Sequence, residues 1–277
     1  MVIRRESAPS VVALAVIALL AGAGPTSAAV LVDGNSSVEI KPDPTSAGVL
    51  RWEVDGVNHL DYSWLWYGGG LLPQEYSLDS VYDSHTVHDD DNDGNPERLE
   101  AKYQYGLVEI TLSYLLTGGP AGSGRATLEG TMTLTNDSTS PLNANLFALF
   151  DFDLNGTAAD ETVERLGAQW MRQTDGNTVV DVLVDTAPSA WEIAESPAIY
   201  NKLTDGDVDN LANAGSFASD AEFAWQWNAI IPASGSMTVG LGEATITTTP
   251  EPASLIIWTL LSAALGIAGW RRRSKAS

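Results

Sequence analysis

Ala126-Thr127-Leu128-Glu129-Gly130-Thr131-Met132-Thr133-Leu134-Thr135 is the stretch from which the fold class follows. Leu128, Met132 and Leu134, with Gly130, fall on one side; Thr127, Glu129, Thr131, Thr133 and Thr135 fall on the other. A period of two is that of a strand with one face in a core and one in water. Leu107 to Leu116 alternates likewise, Val108, Ile110, Leu112 and Tyr114 against Glu109, Thr111 and Ser113. Gly118-Gly119-Pro120-Ala121-Gly122-Ser123-Gly124 joins the two as a hairpin. Asn145 to Leu154 is apolar at nearly every residue until Asp151, as a strand buried on both faces would be. Further strands are expected at Val49 to Val54, Tyr62 to Tyr67, Thr178 to Val184, Ala190 to Ala194, Glu222 to Ile230 and Met237 to Ile246, with room for one short helix around Ser196 to Leu203. Many short strands without βα alternation, and no repeat of fixed length, predict an all-β protein, an antiparallel β-sandwich.

The two ends have a different character. Arg4 and Arg5 precede the apolar run Val11 to Leu20, and small residues fill Ala21 to Ala29. This is the layout of a secretory signal, cut after Ala28 or Ala29, with a core too short for a comfortable permanent span. At the other end come Pro250-Glu251-Pro252, the uncharged Leu255 to Trp270, then Arg271, Arg272, Arg273 and Lys275. At about 1.5 Å per helical residue that run just spans a bilayer. The basic cluster keeps its end cytoplasmic, and the prolines bar the helix from extending outward. The expected organisation is a signal peptide at 1–29, a β-sandwich domain at 30–247 and a C-terminal segment at 248–277. Within that segment the motif is 250–252, the transmembrane helix 254–270 and the Arg-rich end 271–275.

The order of Pro250-Glu251-Pro252, apolar span and Arg271-Arg272-Arg273 resembles the PEP-CTERM sorting signal of exosortase substrates. The resemblance covers about a tenth of the chain. It implies export, transient anchoring in the inner membrane, cleavage near the motif, and delivery to the cell surface or extracellular matrix, with signal peptidase and exosortase as processing partners. A second resemblance rests on Val54-Asp55-Gly56-Val57-Asn58-His59-Leu60, Trp64-Leu65-Trp66-Tyr67, Ser77-Leu78-Asp79, Phe150-Asp151-Phe152-Asp153-Leu154-Asn155-Gly156-Thr157 and Trp225-Gln226-Trp227, in that order. This series is similar to a group of secreted all-β PEP-CTERM proteins that has no established catalytic activity.

Charge narrows the partners. The chain of 277 residues carries 14 Lys plus Arg against 36 Asp plus Glu, a net −22. Setting aside Arg4, Arg5, Glu6, Glu251 and the four basic residues after Trp270 leaves eight basic and 34 acidic residues, a net −26 for the interior. Such a surface repels nucleic acid and attracts cations. There is no cysteine, which removes thiol catalysis and Cys-based metal sites.

The strongest chemical motif is Asp89-Asp90-Asp91-Asn92-Asp93-Gly94-Asn95-Pro96-Glu97-Arg98-Leu99-Glu100. Counted from Asp89, carboxylates fall at positions one, three and five, glycine at six and Glu100 at twelve, the spacing of an EF-hand-type Ca2+ loop. Alternating oxygens converge on one cation, the glycine permits the reversal, and a distal carboxylate closes the shell. Pro96 departs from that pattern, and the flanks Ser80 to Thr86 and Lys102 to Leu112 read as extended chain, so the expectation is a loop between strands with Asp89, Asp91, Asp93 and Glu100 as ligands. The bland reading is a solvated acidic turn. Asp151, Asp153 and Asn155 repeat the spacing more weakly, and Asp205-Gly206-Asp207-Val208-Asp209 more weakly still. His85 and His88 stand three apart, which on a strand points them to opposite faces. No nucleophile elbow or triad stands out, and no carboxylate pair singles itself out among so many.

Aromatic residues form the other constellation. Trp64, Trp66 and Tyr67 offer a stacking platform for sugar rings, whereas tryptophans at period two on a strand also fill sandwich cores. The expectation is a non-catalytic, exported, structural or adhesive matrix protein with a Ca2+-binding loop. The alternative is a carbohydrate-binding module for extracellular polysaccharide, and a glycoside hydrolase-like enzyme is third.

Overall fold

In the computed structural model the alternation at Ala126–Thr135 becomes a strand, Arg125–Asn136, on which Ala126, Leu128, Gly130, Met132 and Leu134 are buried and every intervening residue is at least partly exposed. Its partner across the glycine-rich turn, Val108–Gly118, buries Ile110, Leu112, Tyr114 and Leu116 in the same manner. The structure describes residues 28–41, 48–69 and 72–249. Residues 1–27 of the expected signal peptide, the Pro250-Glu251-Pro252 motif, the helix 254–270 and Arg271–Arg273 lie outside them, whereas Ala29 opens the first strand. Among the described residues no helix is long and apolar enough to cross a membrane.

Eighteen strands are formed by the described residues. In chain order they are β1 (Ala29–Asp33), β2 (Ser36–Ile40), β3 (Val49–Val54), β4 (Val57–Asn58), β5 (Tyr62–Gly68), β6 (Tyr76–Ser77), β7 (Tyr82–His88), β8 (Arg98–Tyr105), β9 (Val108–Gly118), β10 (Arg125–Asn136), β11 (Leu142–Asp151), β12 (Thr162–Gly167), β13 (Trp170–Asp175), β14 (Thr178–Leu183), β15 (Ala190–Glu195), β16 (Phe217–Ala218), β17 (Ala221–Ile231) and β18 (Gly235–Thr248). One α-helix, α1 (Ala198–Leu203), lies where the sequence left room for it.

The strands form two antiparallel sheets. The first runs β1-β2-β3-β5-β11-β17-β15, with β4 on β3 and β6 on β5; the second runs β16-β12-β13-β14-β18-β10-β9-β8-β7. Their facing sides enclose one apolar core that includes Leu31, Trp52, Leu112, Met132, Leu146, Phe223, Trp225 and Trp227. Removing so much apolar surface from water is the main favourable term in a fold of this size without disulfides. Trp52 Nε1 donates to Ser36 Oγ at 3.0 Å and Trp227 Nε1 to the Thr186 carbonyl at 2.9 Å, so each indole is buried with its polar atom paired.

β11 is buried on both faces, as its unbroken apolar run predicts. Leu146 and Ala148 point into the main core, whereas Phe147 and Leu149 join a smaller cluster on the outer face of the first sheet. That cluster holds Trp66, Ile199, Leu203 and Leu211, so α1 and the chain after it form a third layer over the outside of β5, β11 and β17.

Candidate functional site

The acidic motif forms the tip of the β7–β8 hairpin. Asp89 Oδ1 accepts the N–H of Asp93 at 3.2 Å and Asp89 Oδ2 that of Gly94 at 3.0 Å. Asp91 Oδ1 accepts from Asp93 N at 3.0 Å. Gly94 has φ +99, a left-handed backbone that an L side chain rarely adopts, which is why glycine suits position six. The base of the loop is pinned by two charge-assisted bonds from Arg98 to Asp90, at 2.7 and 2.8 Å, and by the N–H of Val32 in β1 donating to the Pro96 carbonyl at 2.8 Å.

Asp89, Asp91 and Glu97 each bring an oxygen within 4.8 Å of the other two, an arrangement able to hold a metal ion. Asp93 and Glu100 stand elsewhere. The Asp93 oxygens turn to Asn95, accepting from its N at 2.8 Å and its Nδ2 at 3.3 Å. Glu100 lies within β8, in register with Thr86 on one side and Ser113 on the other, so the ladder fixes it on the sheet. The distal carboxylate is therefore Glu97, the last residue before β8, which folds back to accept the N–H of Asp90. All three groups offer carboxylate oxygens, donors that suit a hard cation.

The second expected set separates similarly. Asp151 and Asp153 come together with Asp220. The Asn155 amide is committed elsewhere: Nδ2 donates to Asp175 Oδ2 at 2.8 Å and Oδ1 accepts from Thr178 Oγ1 at 2.6 Å. His85 Nδ1 pairs with the Tyr82 hydroxyl at 2.8 Å, and neither His85 nor His88 stands in a metal-holding group among the described residues. His59 is buried, and that burial pushes its imidazole down to about 4, so it is neutral near pH 7.

The Trp64–Trp66–Tyr67 platform is not an open surface. Trp66 is 1% exposed and Tyr67 6%. Trp66 lies beneath α1, with the Tyr200 ring 6.2 Å from it and 4.9 Å from Trp64. Tyr67 points the other way, into the main core. Of the three, only Trp64 keeps a partly exposed ring. Trp225 and Trp227 fill the core, the structural outcome weighed for period-two tryptophans.

A different aromatic feature does meet solvent. A cleft of about 640 Å³ opens at one end of the sandwich, between the end of β5, the β8–β9 turn and the chain before β11. Tyr67, Tyr105, Leu107, Asn136, Ser138 and Asn143 are among its lining. The Tyr67 and Tyr105 ring centroids lie 5.3 Å apart with the planes tilted by 54°, Tyr105 being the exposed ring of the two, and Leu107 is 60% exposed at the turn. The volume suits a small ligand. Its lining offers amides, hydroxyls and apolar surface, and no carboxylate.

No protein-family model and no curated protein matches the chain. Solved structures do share its architecture. A bacterial glucoamylase complexed with acarbose superimposes with TM-score 0.52 at 6% identity, over 83% of this chain and 34% of the glucoamylase. A candidate aldose 1-epimerase of Escherichia coli K12 gives 0.49 at 10% identity, over 80% and 99%. A candidate kojibiose phosphorylase from the human microbiome gives 0.46 at 10% identity, over 85% and 32%. The chain spans about a third of the glucoamylase it resembles, and at this identity the likeness is one of fold.

Proposed function

We propose that the protein is an exported, exosortase-sorted component of the cell surface or extracellular matrix, non-catalytic, with calcium held at the β7–β8 hairpin tip. The observation that carries the calcium reading is the convergence of Asp89, Asp91 and Glu97 on an exposed loop whose carboxylates are oriented by its own backbone N–H groups. A strongly acidic body supports it, since such a body concentrates cations at its surface. The proposed destination rests on the order of Pro250-Glu251-Pro252, apolar span and Arg271-Arg272-Arg273.

The test has two arms. The protein recovered from cells with exosortase should end near Pro250, by mass spectrometry of its C-terminus, and should retain the tail in cells without the enzyme. Millimolar calcium should raise the melting temperature of the chelator-treated protein, and Asp89→Asn with Asp91→Asn should reduce that rise. An unchanged melting curve in the unsubstituted protein would sink the calcium reading.

A second reading, carbohydrate binding, is favoured by the cleft at Tyr67 and Tyr105 and supported by a fold shared with a glucoamylase whose structure holds acarbose. Tyr105→Ala, a change at a half-exposed ring, should then weaken glycan retention in affinity electrophoresis at least tenfold while leaving the melting temperature within a few degrees. The hydrolase reading requires a carboxylate pair beside a substrate, and the cleft lining supplies none.

A further inference from the structure

β11 ends at Asp151, whose backbone stands directly across from Tyr62 of β5 and Glu222 of β17. Asp153 follows at the start of the 3-10 turn Leu154–Gly156. Asp220 sits in the tight connection between β16 and β17. One carboxylate oxygen from each lies within 4.8 Å of the other two. Asp151 is 2% exposed. Its Oδ2 accepts from Ser196 Oγ at 2.7 Å and the Tyr62 hydroxyl also acts on the carboxylate, while Oδ1 is buried without a hydrogen-bond partner of its own.

Among the described residues no ion pair includes Asp151, Asp153 or Asp220. The ion pairs among the described residues are Arg51–Glu53, Arg98–Asp90, Arg172–Asp181 and Lys202–Glu192, all away from the cluster. Asp61 adds negative charge beside Asp153 and Asp220, and Glu195 beside Asp220. Asp220 and Glu222 add negative charge beside Asp151. Burial, reinforced by these neighbours, pushes Asp151 up to about 7 and Asp153 up to about 6. Glu222 differs. It accepts from the Tyr62 hydroxyl at 3.0 Å and from the backbone N–H groups of Ile199 and Tyr200, so its charge is already hydrogen-bonded. A buried carboxylate oxygen with neither donor nor counter-ion is costly, and native structures rarely leave one so.

We propose that Asp151, Asp153 and Asp220 form a second site for a hard divalent cation of the calcium class, independent of the hairpin-tip loop. The donors are all carboxylate oxygens, which excludes the soft and imidazole-preferring metals. They come from two distant segments meeting at a strand end and a turn, an irregular set that calcium accepts more readily than magnesium, which demands near-octahedral geometry and keeps its waters. The site also controls the approach to α1. Ser196 donates its hydroxyl to Asp151 and its N–H to the Asp220 carbonyl at 3.1 Å. An ion joining these two aspartates fixes the segment that carries α1 over Trp66.

The measurement is calcium stoichiometry of the chelator-treated full chain by titration calorimetry. The unsubstituted protein is expected to bind two equivalents. Asp89→Asn with Asp91→Asn should leave one, and adding Asp153→Asn with Asp220→Asn should leave none. The asparagines keep side-chain size and remove repulsion, so melting in chelator should not fall. A single equivalent that vanishes with the loop substitutions overturns this site and leaves the hairpin reading intact. A remaining equivalent that survives Asp153→Asn with Asp220→Asn also overturns it. Should the combined variant not fold, terbium added to the loop variant serves instead. Emission sensitised by Tyr62, in register with Asp151, and displaced by calcium is expected, and its absence overturns the proposal.

Discussion

Glu161 is buried beside the core, where its carboxylate accepts the Leu154 N–H at 2.6 Å and a bond from Gln173 Nε2. Burial outweighs these donors and pushes it up to about 8, against an ordinary value near 4.5. The folded state thus favours the protonated acid. Its contribution to stability is full below about pH 4.5 and is lost as pH rises through about 8. The chelator-treated protein should melt lower at pH 8.5 than at pH 6, and Glu161→Gln should flatten that slope; equal slopes would refute the assignment. Gly242 makes a steric counterpart. At the β10–β18 register shift Gly130 pairs with Gly242 and Thr131 with Gly240, so Leu241 is the extra residue of a bulge. Gly242 has φ +80, and a Cβ there would stand 1.6 Å from the Leu183 carbonyl oxygen. Gly242→Ala should cost about 3 kcal/mol or more, strain and clash together, lowering the melting temperature by roughly 6–12 °C in a domain this size. At this scale the sequence supplied the residue types of the acidic groups but not every member. Glu100 and Glu97 are indistinguishable until the start of β8 is known, because a strand residue cannot turn back to the tip. Asp220 reaches Asp153 only through tertiary folding, which no local spacing encodes.

Among elements, legibility followed solvent. β9 and β10 have one wet and one dry face along their whole length, so alternation marked them, and β11 with two dry faces was as plain. β7 exposes residues toward both sides at the sheet edge, and β12 buries only Val163 of six while shifting register between Arg165 and Gly167; neither leaves a clean period. α1 is six residues long, too short to stand by propensity, and holds through Ile199 and Leu203 on the outer face of the first sheet. Truncating either to Ala should cost about 2–4 kcal/mol. Because the two sheets have their own core, Ile199→Ala should raise acrylamide quenching of tryptophan emission under native conditions, by uncovering Trp64 and Trp66, while the far-ultraviolet strand signal stays unchanged. Unaltered quenching would mean that α1 is not the cover.

The whole molecule carries its acid load on a two-sheet body in which only eight basic residues face 34 acidic ones. Self-repulsion of that size is screened by salt. Raising sodium chloride from 20 to 500 mM in chelator should increase the melting temperature, and calcium at matched ionic strength should increase it further; identical curves would reduce the calcium effect to screening. One feature of the second sheet bears on how the molecule meets force. β18 lies inside that sheet, paired along its length with β10 and over its C-terminal half with β14, and it ends where Thr249 N–H donates to the Asn177 carbonyl at 2.9 Å. A pull transmitted through the chain beyond Thr249 runs along the axis of this strand. It loads the bonds on both sides together, in shear, rather than peeling them singly as at a sheet edge. Forced extraction is governed by the rate of unfolding, so a body tethered through β18 should slip as one cooperative event at high load.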